Sequence, residues 1–164
     1  MRQTFTSATT SINSTKLPAV YGKLPFKPVA LLDYGCGKYT DHIRAALPGV
    51  AYIPFDKYNQ SPAVNRRAEI YVRSFQAAGI AVDVVCSNVL NVIAENSVIE
   101  SIAADIRRII AGGGSAFITV YEGNRSGVGR QTGPDQWQRN EKLSAYLRFF
   151  PGAEIRKGMI IVKG

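Results

Sequence analysis

The chain has 164 residues, the length of one ordinary domain with little room for a second. Apolar residues make up 46% and charged residues 20%, a balance that excludes a disordered chain and supports a packed core. Twenty Lys and Arg against twelve Asp and Glu give a formal charge of +8; this favours anionic partners, nucleic acid foremost, although the basic residues form no long run and serve solubility equally well.

Residues 1–27 read as an arm, polar and then mixed, punctuated by Pro18 and Pro25 and with room for one short helical turn. The arm has no hydrophobic signal core, and nothing in the chain approaches the roughly 20 apolar residues that span a bilayer. The expectation is a cytoplasmic protein with no membrane partner. Residues 28–164 read as one domain. Val29 to Leu32 is a continuous apolar run that ends in Asp33-Tyr34-Gly35-Cys36-Gly37, the pattern of a strand buried on both faces and closed by a glycine turn. A short helix is expected from Thr40 to Leu47 with Ile43, Ala46 and Leu47 inward, stopped by Pro48-Gly49. A second strand, Ala51 to Phe55, ends in Asp56.

Ser61-Pro62 opens a helix with serine as N-cap and proline at the first helical position. Val64, Ala68, Tyr71, Val72 and Phe75 recur at helical spacing, with Arg66, Arg67, Glu69 and Arg73 on the other side, and Gly79 closes it. Val82 to Cys86 is a third strand. Ser97 and Glu100 have capping-box spacing before an apolar stripe through Ile99, Ile102, Ala103, Ile106, Ile109 and Ile110, which the triple glycine 112–114 ends. Ser115 to Tyr121 is a fourth strand, followed by a loop from Glu122 to about Pro134 and a helix from about Asp135 to Phe149. Two short strands, Ala153 to Arg156 and Met159 to Val162, make a closing hairpin around Gly158. Strands alternating with helices imply βαβ units. The predicted fold is therefore α/β: doubly wound and Rossmann-like, a mostly parallel sheet of about six strands with a C-terminal antiparallel hairpin, and with ligands at the carboxyl ends of the strands.

At that end, Gly35 and Gly37 allow a sharp turn and close approach of a ligand to the backbone. Asp56 closes the next strand, where an acid accepts hydrogen bonds from ribose hydroxyls. The combination suggests a nucleoside-containing ligand, against the alternative of two structural turns. Position 40 is Thr, where a dinucleotide fingerprint wants a third glycine, and Lys38 and Tyr39 crowd a diphosphate. This favours S-adenosylmethionine, which has no phosphate, over NAD. One histidine, His42, and two cysteines, Cys36 and Cys86, fall short of the four ligands of a structural zinc site, so no metal is expected.

Leu32 to Gly37 resembles the first motif of class I S-adenosylmethionine-dependent methyltransferases. Asp56 is similar to their ribose-binding acid, and Asp83 to Leu90 to their central strand. Thr10 to Pro18, Ser87 to Ile93, Gly127 to Thr132 and Trp137 to Asn140 resemble short phage and bacterial methyltransferase-like proteins. The usual seven strands are here six, and Ser87-Asn88-Val89-Leu90 stands in place of the Pro-Pro motif of amino-methylating DNA enzymes. The resemblance implies S-adenosylmethionine as cofactor, with Asp33, Gly35, Gly37, Asp56, Ser87 and Asn88 around it and Asn13, Ser14, Thr15 and Lys16 as a lid; the arm reads equally as a frayed terminus. No catalytic residue is assigned, and Asn88 and Tyr121 are the candidates. Arg125, Arg130, Trp137 and Arg139 are candidates for binding a nucleic-acid or small anionic acceptor, against a reading of Trp137 as a core anchor and solvated arginines. A protein that binds S-adenosylmethionine without transfer is the alternative function, an NAD-type oxidoreductase a third, and a monomer or a homodimer the expected state.

Overall fold

The structure, a computed structural model, describes residues 2–8 and 16–164. The apolar runs of the sequence form the middle of a six-stranded sheet. Strand β1 (Ala30–Tyr34) pairs in parallel with β2 (Ala51–Phe55) on one side, from Ala30 opposite Ala51 to Tyr34 opposite Phe55. On its other side it pairs in parallel with β3 (Val82–Ser87), from Ala30 opposite Val82 to Asp33 opposite Val85. Strand β4 (Ser115–Thr119) continues the parallel run beside β3. Two strands apart from the sheet, β5 (Arg130–Gly133) and β6 (Gln136–Gln138), make an antiparallel hairpin. Strand β7 (Glu154–Arg156) and the last strand, β8 (Met159–Lys163), complete the sheet in the order β2-β1-β3-β4-β8-β7. Strand β8 is antiparallel to both neighbours and alone joins β7 to the rest. Lys157 and Gly158, at φ 50° and 73°, form the two-residue turn between them, a geometry that follows the right-handed twist of the strands.

Alternation along the strands sends successive side chains to opposite faces. Leu32, Val84, Cys86, Ile118 and Ile160 face α2 (Pro62–Ala77), α3 (Asn96–Ile110) and a 3-10 helix at Leu143–Phe149. Leu31, Val85, Phe117 and Ile161 face the other way, against Ile43 of α1 (Asp41–Ala46) and Val20 and Tyr21 of a 3-10 helix at Ala19–Lys23. Helical elements thus cover both faces of an α/β domain with a mixed, mostly parallel sheet. None of the helices is long and apolar enough to cross a membrane, among the described residues.

The N-cap at Ser61 forms as expected, its side chain accepting from the Val64 amide with Pro62 at the first helical position. Several expectations need correction. Ala46 and Tyr71 are exposed rather than inward, because α1 lasts only six residues and α2 buries a narrow stripe centred on Ala68 and Val72. Val29 stands 64% exposed ahead of β1. The capping box at Ser97 and Glu100 does not form, since α3 starts at Asn96 with Glu95 at its N-cap and no side-chain cap. No helix runs from Asp135 to Phe149. Strand β6 lies near its start, Asn140 turns the chain at φ 56°, and only Leu143–Phe149 winds, as 3-10 helix. The reason is polar: Gln138, Arg139 and Asn140 are buried and bond to other segments, and bonds of that kind oppose a regular amphipathic helix.

Candidate functional site

The four parallel strands end on one rim, and a cleft of about 980 Å³ opens there. Gly35 lines it after β1, Asp56 after β2, Asn88 after β3 and Tyr121 beyond β4. Its roof has two parts. Thr6 and Ser7 come from the N-terminal arm, and Arg130 and Trp137 from the β5–β6 hairpin.

The floor is the glycine turn. Gly35 and Gly37 adopt φ 82° and 74°, the left-handed region that favours glycine. The Gly35 and Cys36 amides donate to the Phe55 carbonyl at 2.7 and 3.2 Å, which lashes the turn to the end of β2. The Gly37 amide donates to Asp56 Oδ2 at 3.0 Å. Asp56 Oδ1 accepts from the Tyr58 and Asn59 amides at 2.9 and 2.8 Å and from Asn59 Nδ2 at 3.2 Å. Asn65, in the first turn of α2, closes a reciprocal pair with the Asp56 backbone, at 3.0 Å from its amide and 2.9 Å from its carbonyl. Asp56 therefore organises the turn, and its Oδ2 carries a single internal bond. A side chain at Gly35 would strike Val89, whereas the space beyond Gly37 is open. Gly35 answers to packing and Gly37 to access.

Asp33 lies beneath the turn, 4% exposed, and accepts from the Tyr52 hydroxyl at 2.6 Å. Burial pushes its carboxyl up to about 6, against the opposing pull of Tyr52 and Tyr21. It supports the turn from below and does not line the cleft. Asn88 also has a left-handed backbone, φ 57°, tied by its amide to the Thr119 carbonyl at 2.9 Å. Asparagine is among the few non-glycine residues that accept this conformation, and such strain concentrates where a strand end presents function. Ser87, just behind, accepts from the Thr119 hydroxyl at 3.0 Å.

The structure divides the expected acceptor residues. Arg130 and Trp137 reach the cleft. Arg139 does not: it is 8% exposed and donates to the Ile93 and Ala94 carbonyls, Asn96 and Glu141, so it pins the hairpin to the segment after β3. Arg125 stands exposed beside Glu122, its ion-pair partner, outside the cleft lining. Lys16 is exposed and outside the lining, and Ser14, with Asn13 and Thr15, lies outside the described residues. Trp137 stacks on Phe5, ring centroids 5.3 Å apart. The turn residue Asp135 holds the arm through the Thr6 amide at 2.8 Å, the Thr6 hydroxyl at 2.6 Å and the Ala8 amide at 3.1 Å. Arm and hairpin form one roof.

Sequence reasoning did not single out Lys57, Tyr58 and Asn59 after Asp56, or the amide relay of Asn91 and Gln138. In that relay Gln138 Nε2 donates to the Tyr121 carbonyl at 2.9 Å and Asn91 Nδ2 to Gln138 Oε1 at 3.2 Å. The carbonyl of Tyr121 can only accept, so it fixes the orientation of both amides in turn. The signal for the relay was present, since both residues fall in stretches that carried the family resemblance; their pairing across 47 positions was not. Comparison with known proteins adds no assignment: no family model matches the chain, and no curated protein or solved structure matches it.

Proposed function

We propose that the chain is a methyltransferase that uses S-adenosylmethionine and acts on an anionic acceptor. The observation that carries this reading is the glycine turn bonded to Asp56 at the mouth of the cleft, with open space above Gly37. The residues fit the cofactor. Gly37 leaves its backbone approachable, and Asp56 Oδ2 keeps acceptor capacity for a ribose hydroxyl beside its one internal bond. The cleft volume is at the upper end of small-molecule sites, which suits a nucleoside-sized donor together with part of an acceptor.

When bound, the cofactor supplies a methyl group already activated by its sulfonium, so the work left to the chain is alignment and exclusion of water. Gly35 and Gly37 set the floor, Asp56 orients the ribose, and the strained Asn88 together with Tyr121 faces the acceptor side. The arm and hairpin close the top. Lys38, Lys57 and Arg130 line the cleft against one carboxylate among the described lining, Asp56, so the field at the mouth favours an anionic acceptor.

The test is a thermal melt of the purified chain with S-adenosylmethionine, S-adenosylhomocysteine and NADH. At 100 times its dissociation constant a ligand bound only by the native state adds about 2.7 kcal/mol. Stabilisation by the first two is expected and its loss is expected in Gly37→Val, whose side chain enters the open space. Stabilisation by NADH alone would replace this reading with that of an oxidoreductase. Ligand binding with no methyl transfer to any anionic acceptor would leave a binding protein.

A further inference from the structure

The basic residues of α2, scattered in sequence, come together on its outer face. Arg66, Ile70 and Arg73 are spaced i, i+4, i+7 and form one ridge, and Arg67 and Tyr71 make a second row beside it. The helix buries Ala68 and Val72, so this ridge points to solvent, and Ile70 and Tyr71 are 54% and 48% exposed. The guanidinium groups of Arg66, Arg67 and Arg73 make no hydrogen bond or ion pair, whereas Arg108, Arg125, Arg139, Arg148 and Arg156 are each paired with a carboxylate. Glu69 is the only acid on α2.

The N-terminal end of this helix adjoins the cleft. Asn65, one residue before Arg66, is bonded to the backbone of Asp56, and Gln60, just ahead of the helix, donates to the Gly37 carbonyl at 2.6 Å. Between them and the floor stand Lys57 and Tyr58, both part of the cleft lining. The cationic path therefore runs from Lys38 and Lys57 at the mouth to Arg66, Arg67 and Arg73 along the helix. From Arg66 to Arg73 it covers about 10 Å, seven residues at helical rise, a span of about three phosphates on one strand of a duplex.

We infer that the outer face of α2 binds the sugar-phosphate backbone of a nucleic acid and leads it to the cleft. Arg66, Arg67 and Arg73 contact phosphates, Tyr71 and Ile70 pack against sugar or base, and Lys57 carries the strand over the rim. As an assignment of the acceptor this rests on the methyltransferase reading; as a binding surface it stands apart from it. Unpaired arginines on a rigid helix give contacts to phosphate that hold a register without reading sequence.

Fluorescence anisotropy of labelled 20-nucleotide single-stranded and duplex oligonucleotides, from 50 to 200 mM salt, tests it on the full chain. The probe lengths and salts are about what phosphate-driven binding requires. In Arg66→Gln/Arg67→Gln/Arg73→Gln the dissociation constant is expected to rise about tenfold or more at low salt. The slope of log affinity on log salt should fall by about 2 for single strands, about 0.7 per lost contact. Lys23→Gln/Lys142→Gln/Lys157→Gln removes the same charge from exposed sites outside α2 and the cleft lining, and should leave most of the affinity. Melting shifts with S-adenosylhomocysteine report the donor site separately: intact shifts with lost oligonucleotide binding support the surface, and lost oligonucleotide binding with no shift even in the unaltered chain supports the surface while removing the methyltransferase reading. Unchanged binding in the arginine variant, equal weakening in the lysine variant, no binding by the unaltered chain at 50 mM salt, or equal α2-dependent binding of polyglutamate would overturn the inference, the last in favour of an acidic peptide.

Discussion

Gly35 is held in place by two separate constraints. Its φ of 82° disfavours a side chain, and a Cβ would collide with Val89 Cγ2, on the segment that follows the central strand. The turn and that segment are therefore packed backbone to side chain, and the two ends of the cleft floor cannot move apart independently. Gly35→Ala is expected to lower stability by roughly 2–6 kcal/mol, the sum of a strained backbone and an overpacked contact. Gly35→Ala/Val89→Ala should recover the packing part and leave about 1–3 kcal/mol of backbone strain, to which the separate cost of trimming Val89 adds. Urea denaturation of the two variants and of Val89→Ala measures the coupling; additive losses would separate the turn from Val89.

Among the elements, legibility followed the kind of interaction that forms each one. The helix at Pro62–Ala77 was readable because its signals are local: a serine cap, a proline at the first turn and an apolar stripe. The parallel strands were readable because burial on both faces leaves an uninterrupted apolar run. The stretch from Gln136 to Phe149 was not, because Gln138, Arg139 and Asn140 bond to residues 12 to 47 positions away, and no local pattern announces such partners. The site divides likewise. Gly35, Gly37 and Asp56 were legible from turn chemistry, whereas the removal of Arg139 from the candidate surface depended on carbonyls presented by Ile93 and Ala94. The roof yields a prediction at this scale. Asp135→Ala deletes the carboxylate that holds Thr6 and Ala8, so hydrogen exchange at those two amides should quicken by tenfold or more, a loss of about 1.4 kcal/mol or more of local protection. Trp137 is the only tryptophan, and its emission should shift as the Phe5 stack loosens. Unchanged exchange and emission would mean that Phe5 and the Thr4 contact to Glu95 hold the arm without the clasp.

Over the whole molecule, Asp33 couples folding to pH. Its carboxyl is raised by burial to about 6 in the folded chain, from an ordinary value of 3.8 when unfolded. The folded state thus holds the proton more tightly. Its contribution is complete below about pH 4 and is lost as pH rises through about 6, a change of roughly 3 kcal/mol for a shift of about two units. Glu122 acts in the opposite sense: the bond from the Leu143 amide holds its carboxyl low, and its contribution fades as pH falls. The comparison that isolates Asp33 is Asp33→Asn, which keeps an acceptor for Tyr52 and removes the titration. The stability difference between Asp33→Asn and the unaltered chain should grow in favour of the variant between pH 4 and 6.5, measured by denaturant unfolding at each pH. A difference independent of pH would place the proton elsewhere.

The position of β8 between β4 and β7 also bears on how the chain is made. A ribosome delivers residues in order, so β7 emerges before Met159 and the strand it must pair with. Until β8 arrives, the open edge of β4 carries Ala116, Phe117 and Ile118 with unpaired backbone groups, an invitation to pairing with another nascent chain. The tight Lys157-Gly158 reversal is therefore protective, since it lets β8 fold back on β7 and bring it to the waiting edge.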